Sequence, residues 1–572
     1  MKRRYDGAWG AHIVEGGVRF RLWAPAARSV NTVLVGTGEQ SIPMERDSAG
    51  WFEITSAEAA AGSRYLYEID GDLRVADPAS RFQPEGAERP SEVIDPDAFD
   101  WPESAFELPP REELNVYELH VGAFTPEGTY ASAALHLKHL ADLGVRAIEL
   151  MPLSQAAGER NWGYDGVHHY APARQYGRPE DLKTFIAAAH ERGIAVILDV
   201  VYNHFGPQGN YLPRYAPQFF SSAIRTPWGD GIDYSAPAND PVRRYAIDNA
   251  CYWLAEYGFD GLRLDAVPAI VDTRPRHVVR ELLDEARAAA GRPVYLIAED
   301  VKDEVPALAA SFDGRWGDEV HDALHVRITG DRSGYYAAFL DAPLDRLGSA
   351  LATEGGHRIS YLQNHDQIGN RPLGERIGHL AGGDAVRAAL AVVLLAPGIP
   401  LLFMGQEWNA STPFLFFCDF EPNLAKRVRE GRRAEFAHLA GFDDPQTLAS
   451  IVDPASAAAL ERSKLRWEEI EMPAHREMFD FHTRLLRLRH ETIAPLLSRD
   501  WSPQGRFTAT DAALSGSWQF GGGPTLQLFA NLGSVEVPRR AGASGRLVFA
   551  THPDAANAEQ APAWSVFWYC GE

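Results

Sequence analysis

Ile194-Ala195-Val196-Ile197-Leu198-Asp199-Val200-Val201-Tyr202-Asn203-His204 opens as an apolar strand and closes on an acid, an amide and an imidazole. A second stretch repeats the pattern: Phe259-Asp260-Gly261-Leu262-Arg263-Leu264-Asp265. Further apolar strands read at Leu114 to His120, Val145 to Met151, Val294 to Glu299, Ala323 to Ile328, Arg358 to Asn364 and Pro400 to Met404. Helical periodicity lies between several of them, clearest at Ser132 to Leu143, Pro179 to Arg192, Pro241 to Tyr257, Arg276 to Ala290 and Ala385 to Ala396. Eight alternating strand and helix units predict an α/β protein built on a closed (β/α)8 TIM barrel, which needs about 250 residues or more.

Outward from the barrel the pattern changes at both ends. Val18 to Trp23, Val30 to Val35, Trp51 to Ile54 and Tyr65 to Ile69 are short alternating segments parted by Gly, Pro and Asp, which predicts a β-sandwich over 1–95. Prolines 84, 90, 96, 102, 109 and 110 mark a connector. The barrel is expected over 96–494, with a charged insertion from Lys426 to Pro473 after its eighth strand and a closing helix from His475 to Arg489. A second β-sandwich is expected over 495–572, on the segments Thr525 to Asn531, Arg546 to Ala550 and Ala563 to Tyr569.

Composition narrows the function. With 45% hydrophobic, 11% aromatic and 23% charged residues, the 572-residue chain can bury ample core. Its formal charge of −23 repels phosphate backbones and anionic lipid surfaces, so neither nucleic acid nor membrane is an expected partner. The apolar run from Ala388 past Met404 is cut by Pro397, Gly398 and Pro400 and reads as a buried helix followed by a buried strand. Three cysteines, Cys251, Cys418 and Cys570, cannot all pair, and no secretory pattern opens the chain; a cytoplasmic setting is expected.

In such a barrel the working residues stand at the C-terminal ends of strands. Asp265 and Glu299 close consecutive strands, and strands lie about 4.8 Å apart, so their carboxyl groups can approach the roughly 5 to 5.5 Å used in retaining glycoside hydrolysis. Arg263, two residues before Asp265, points to the same side and is expected to keep Asp265 ionised as a nucleophile. Glu299 needs its pKa raised to protonate a leaving sugar oxygen. Asp366, beside His365, can steady an oxocarbenium-like transition state. A single acid such as Asp199 at a strand end is more often a cap or turn former. The joint occurrence at the ends of strands three, four, five and seven is what argues for chemistry.

At these residues, Asp199 to His204, Gly261 to Asp265, Glu299 and Asn364 to Asp366, the chain resembles the α-amylase superfamily of glycoside hydrolases. The resemblance implies Asp265 as nucleophile, Glu299 as general acid/base and Asp366 as transition-state stabiliser. It implies that His204, Arg263 and His365 bind the sugar at the cleaved bond, that Tyr164 in Asn161-Trp162-Gly163-Tyr164-Asp165-Gly166 stacks on it, and that Asp199 and Asn203 support the site. Asp318 and His321 are weaker binding candidates. The leading module would resemble a carbohydrate-binding module.

Glu118 to Gly128, Asn161 to Gly166, Phe205 to Leu212 and Thr226-Pro227-Trp228-Gly229 are similar to superfamily members that release trehalose from a trehalose-capped maltodextrin; the first two resemble glycogen branching enzymes as well, the last two discriminate, and Trp228 is expected to cover a leaving-group sugar. The expected partner is therefore that capped glucan or a related α-glucan, delivered by the enzyme that builds the cap, without a stable complex. A glycogen branching enzyme is the alternative, and a glucan-binding protein the non-enzyme alternative. No cofactor and no metal are expected.

Overall fold

The computed structural model describes residues 2–300, 304–353, 357–437, 439, 445–500, 504–539 and 545–571. Residues 438 and 440–444 of the expected insertion, and 501–503 and 540–544 of the expected terminal sandwich, lie outside the described residues.

Eight parallel strands close into a barrel: Val116–Leu119, Ala147–Leu150, Ala195–Val200, Gly261–Leu264, Tyr295–Glu299, Gly314–Trp316, Arg358–Tyr361 and Ile399–Phe403. Val116 pairs with Ala147 on one side and with Leu401 on the other, which shuts the cylinder. Its interior is a layer of apolar side chains that includes Val116, Ala147, Ile197, Ile297 and Trp316. Side chains on a strand alternate, so residues two further along point inward as well. Those residues are Glu118, Glu149, Asp199 and Glu299, and Arg263 is the Cα partner of Asp199. The apolar plug thus passes directly into a layer of charges at the C-terminal end of the barrel.

The sixth strand corrects the sequence reading. Ala323 to Ile328 lies within the helix Glu319–Thr329, and the strand is the three-residue Gly314–Trp316. The helix is preceded by Asp318 at its N-cap, carries Glu319 and Asp322 in its first turn, and stops at Gly330 in the left-handed conformation (φ 73°). Eight of its residues are buried, so its apolar run has lost the one-sided period that marks a helix. The run from Ala388 past Met404 folds as the helix Gly383–Leu395 and the strand Ile399–Phe403.

The leading module is two packed sheets. Gly17–Trp23 lies between His12–Val14 and Trp51–Ser56 in one, and Arg64–Ile69 pairs with Val30–Val35 in the other. Phe20 and Tyr65 meet between them at 4.8 Å. Trp9 leaves this module to meet Phe219 (5.8 Å) and Tyr245 (5.2 Å) of the barrel edge to face, so a large aromatic contact fixes the module beside the loop after the third strand. The terminal module has a five-stranded antiparallel sheet, in which Trp568 Nε1 donates to Ala391 O at 2.9 Å on a barrel helix, and a separate two-stranded sheet.

Two elements escaped the sequence reading. A hairpin, Phe220–Thr226 and Gly229–Ile232, carries Trp228 at its tip. The charged stretch after the eighth strand begins with a helix, Pro422–Phe436. Among the described residues no helix is long and apolar enough to cross a membrane.

Candidate active site

A cleft of about 1210 Å³ opens over the C-terminal end of the barrel, with Asp265, Glu299, Asp366 and His365 lining it. Leu264 and Ala298 form the last pair between the fourth and fifth strands, so Asp265 and Glu299 stand side by side where that pairing ends. Beneath them lies Arg263, whose side chain is fully buried. Its Nη1 donates to Asp199 Oδ2 at 2.6 Å and to Asp265 Oδ1 at 3.1 Å, while Nη2 lies 2.9 Å from Glu299 Oε2. The guanidinium lies over the Trp316 ring, 4.3 Å from its centre, so an aromatic face supports the cation from below. One fixed fork thus holds three carboxylates from three adjacent strands, which a flexible ammonium could not do with the same geometry.

Each acid has its own setting. Asp265 Oδ2 accepts from Asn203 Nδ2 at 2.7 Å. Burial pushes its carboxyl above the usual range and Arg263 pulls it back, so the expected ionising role of Arg263 works against desolvation. Glu299 is pushed up to about 7 by burial, with Arg263 opposing and the Asp265 and Asp366 charges adding to the rise. Its Oε2 accepts the Ala266 N–H at 2.8 Å, leaving Oε1 to carry a proton. Ala266 adopts φ 40°, a left-handed conformation that costs a non-glycine residue about 1–3 kcal/mol and aims its N–H at Glu299. Asp366 is the most exposed of the three, and its Oδ1 accepts from Asn370 Nδ2 at 3.2 Å.

A relay of buried groups runs under the cleft. His365 Nδ1 donates to Glu118 Oε1, and the His365 backbone N–H donates to Glu118 Oε2 at 3.1 Å. Tyr164 OH donates to Asp199 Oδ2 at 2.7 Å, so at 2.9 Å His365 Nε2–H must be the donor to the Tyr164 oxygen. Burial alone would discharge His365. The Glu118 and Asp366 charges outweigh it and raise the imidazole to about 10, which fixes it as the two-donor cation this relay needs. The Tyr164 and His365 rings lie 5.2 Å apart at 23°. Glu149 is fully buried, neither of its carboxyl oxygens has a hydrogen-bond partner among the described residues, and burial together with the Glu118 charge pushes it well above the ordinary range.

His204 Nε2 bonds Tyr164 O at 2.8 Å, and burial lowers its imidazole to about 4. Trp228 stacks on it at 3.7 Å and 13°. The structure therefore brings Tyr164, Asn203, His204, Trp228, Asp265, Glu299, His365 and Asp366 to one cleft, with Asp199 and Arg263 under its floor. Asp318 and His321 do not line it. His321 bonds Leu362 O at 2.8 Å and Tyr336 OH at 2.9 Å, while Asp318 accepts from Tyr361 OH and from Gln367 Nε2 at 3.2 Å. The sequence reading missed Glu118 and Glu149 as inward-facing acids, although both lie two residues beyond an interior apolar position. It also missed the far wall, where Leu424, Arg427 and Arg432 of the helix Pro422–Phe436 line the cleft. Among the described residues no group of three or more His, Cys, Asp or Glu is arranged to hold a metal ion.

Comparison with known proteins agrees with this construction. Residues 100–218 match the catalytic domain of the alpha amylases, 8–80 match carbohydrate-binding module 48, the isoamylase N-terminal domain, and 505–568 match a domain of unknown function. The malto-oligosyltrehalose trehalohydrolase of Deinococcus radiodurans is 41% identical, over 83% of this chain and 81% of its own. A crystal structure from Salmonella typhimurium, provisionally named an alpha amylase, is 38% identical and superimposes with a TM-score of 0.92 over 99% of this chain and 100% of that one. A 1,4-alpha-glucan branching enzyme from Corynebacterium jeikeium stands further off, 28% identical over 71% of this chain and 63% of its own. With three carboxylates gripped by one arginine at the mouth of a (β/α)8 barrel, and that degree of identity over most of its length, the chain belongs to the malto-oligosyltrehalose trehalohydrolases, glycoside hydrolases of the α-amylase family.

Proposed function

We propose that this protein hydrolyses, with retention, the α-1,4 bond joining a maltodextrin to its terminal trehalose. Asp265 attacks the anomeric carbon as the bond to trehalose breaks, and Glu299 delivers its proton to the departing oxygen. The carboxylate left on Glu299 then takes a proton from water, whose oxygen displaces Asp265 and frees the maltodextrin. Asp366 faces the flattened ring and offsets its positive charge.

The observation that carries this reading is Arg263 holding Asp265 and Glu299 from consecutive strands. That grip supports the short carboxyl separation of a retaining enzyme. It also keeps a nucleophile charged beside an acid whose burial leaves it protonated near neutral pH. The substrate is an α-glucan; its trehalose cap would be supplied by a separate synthase that acts earlier and forms no stable complex. His204 and Tyr164 hold the ring at the cleaved bond, and Trp228 covers an apolar sugar face. The test is to incubate the protein with trehalose-capped and uncapped maltopentaose and identify the released sugars. Free trehalose from the capped substrate is expected, whereas new α-1,6 branches would assign the chain to glucan transfer.

A further inference from the structure

Asp165 follows Tyr164 in the chain but is absent from the chemistry above. Only 8% of its surface is exposed, and it lines the cleft. Each acid of the reaction has a cation at hand: Arg263 for Asp265 and Glu299, His365 for Asp366. Asp165 has none among the described residues. Its one side-chain hydrogen bond is to Oδ1, which accepts the indole N–H of Trp228 at 3.1 Å. Oδ2 has no partner among the described residues. A buried carboxylate left with one donor is costly, unless the ligand supplies the rest.

The surroundings fix this carboxyl group in place. The Gly206 N–H donates to Gly166 O at 2.9 Å, and a Cβ on Gly206 would fall 2.0 Å from Asp165 O, so only glycine lets the two segments close. Trp228 is held by its bond to Asp165 and by its stack on His204, and it remains 37% exposed. An indole face and an unsatisfied carboxylate thus sit side by side: one fits the apolar face of a pyranose, the other its hydroxyl groups.

Resting on the hydrolase reading above, we infer that Asp165 is a sugar-binding residue, which accepts hydroxyl hydrogen bonds from the glucosyl unit that Trp228 covers. Besides holding the indole, it selects a ring that presents donors at that point.

Asparagine separates the two roles. In Asp165→Asn the amide oxygen still accepts from Trp228, but the acceptor facing the sugar becomes a donor. On trehalose-capped maltopentaose this variant should raise KM about tenfold and lower kcat by no more than about twofold, the size of one lost hydrogen bond to a charged group. Asp165→Glu, which keeps the charge, should recover a KM within about threefold of wild type. Trp228→Phe should show a smaller rise than Asp165→Asn. A wild-type KM in Asp165→Asn would overturn the inference, as would equal losses in the Asn and Glu variants. If the wild type released no trehalose, the hydrolase reading would fail, and the same KM comparison on maltopentaose would still decide the role of Asp165.

Discussion

The floor and the rim of this cleft are built on opposite principles. The floor is made by strands: Glu118, Asp199, Arg263 and Glu299 sit toward the ends of strands one, three, four and five, in phase with the apolar plug, and their partners are other buried charges. The rim is made by a hairpin tip, a helix of the insertion and a residue just before the last strand of the leading module, Ser91–Glu92: Trp228, Arg427 and Glu88. Floor groups are held from every side. Rim groups have few partners, as loops on a rigid scaffold usually do. Chemistry that needs sub-ångström placement belongs on the former, and recognition of a variable glucan on the latter.

Four measurements bear on that contrast, taken in descending order of the change each should produce. Glu299→Gln should lower kcat by roughly 10³- to 10⁴-fold with little change in KM, since it removes general acid–base catalysis and keeps the shape. A loss confined to KM would move Glu299 out of the chemistry. Next, Glu118→Gln should lower kcat/KM at least about tenfold through His365, and should flatten the dependence of stability on pH. The sign follows from the raised imidazole. Its stabilisation is complete below the ordinary 6.5 and is lost as pH climbs toward about 10 in the wild type; thermal melts across that window should show the decline in the wild type only.

The third measurement is the pH profile of the wild type. With Glu299 raised to about 7, the protonated acid disappears above that pH, so kcat/KM should fall on the alkaline side near neutrality. On the acid side activity should fall as Asp265 takes up a proton, above the ordinary aspartate range. An alkaline limb well above 7 would mean Glu299 is not the titrating acid. The smallest effect is expected at the rim, where Arg427→Ala should raise KM about two- to threefold and leave the melting temperature unchanged, because its guanidinium is exposed. A large loss of kcat there would erase the distinction between floor and rim.

Much of the floor was legible in the sequence, for a physical reason. An acid at the end of an apolar strand breaks the pattern of its own element, so Asp199, Asp265 and Glu299 stand out singly and more so together. Glu118 and Glu149 carry the same signal, since each lies two residues beyond an interior position; reading the period inward from Val116 and Ala147 would have found them. The sixth strand was misplaced because Gly314–Trp316 is three residues long, while the neighbouring helix has eight of its eleven residues buried and so lacks a wide polar face. Asp318 and His321 matched a motif by position, yet Asp318 is bonded to Tyr361 and Gln367, His321 to Leu362 and Tyr336, and neither lines the cleft. The rim was least legible, because the hairpin that lifts Trp228 and the helix opposite it come together only through the fold.

The most direct test of the central claim, that two acids on consecutive strands cleave one glucosidic bond by double displacement, is proton NMR of a trehalose-capped maltodextrin during the first minutes of hydrolysis. Retention gives free trehalose together with a new reducing end that appears first as the α-anomer. A new reducing end that appears first as the β-anomer would contradict it.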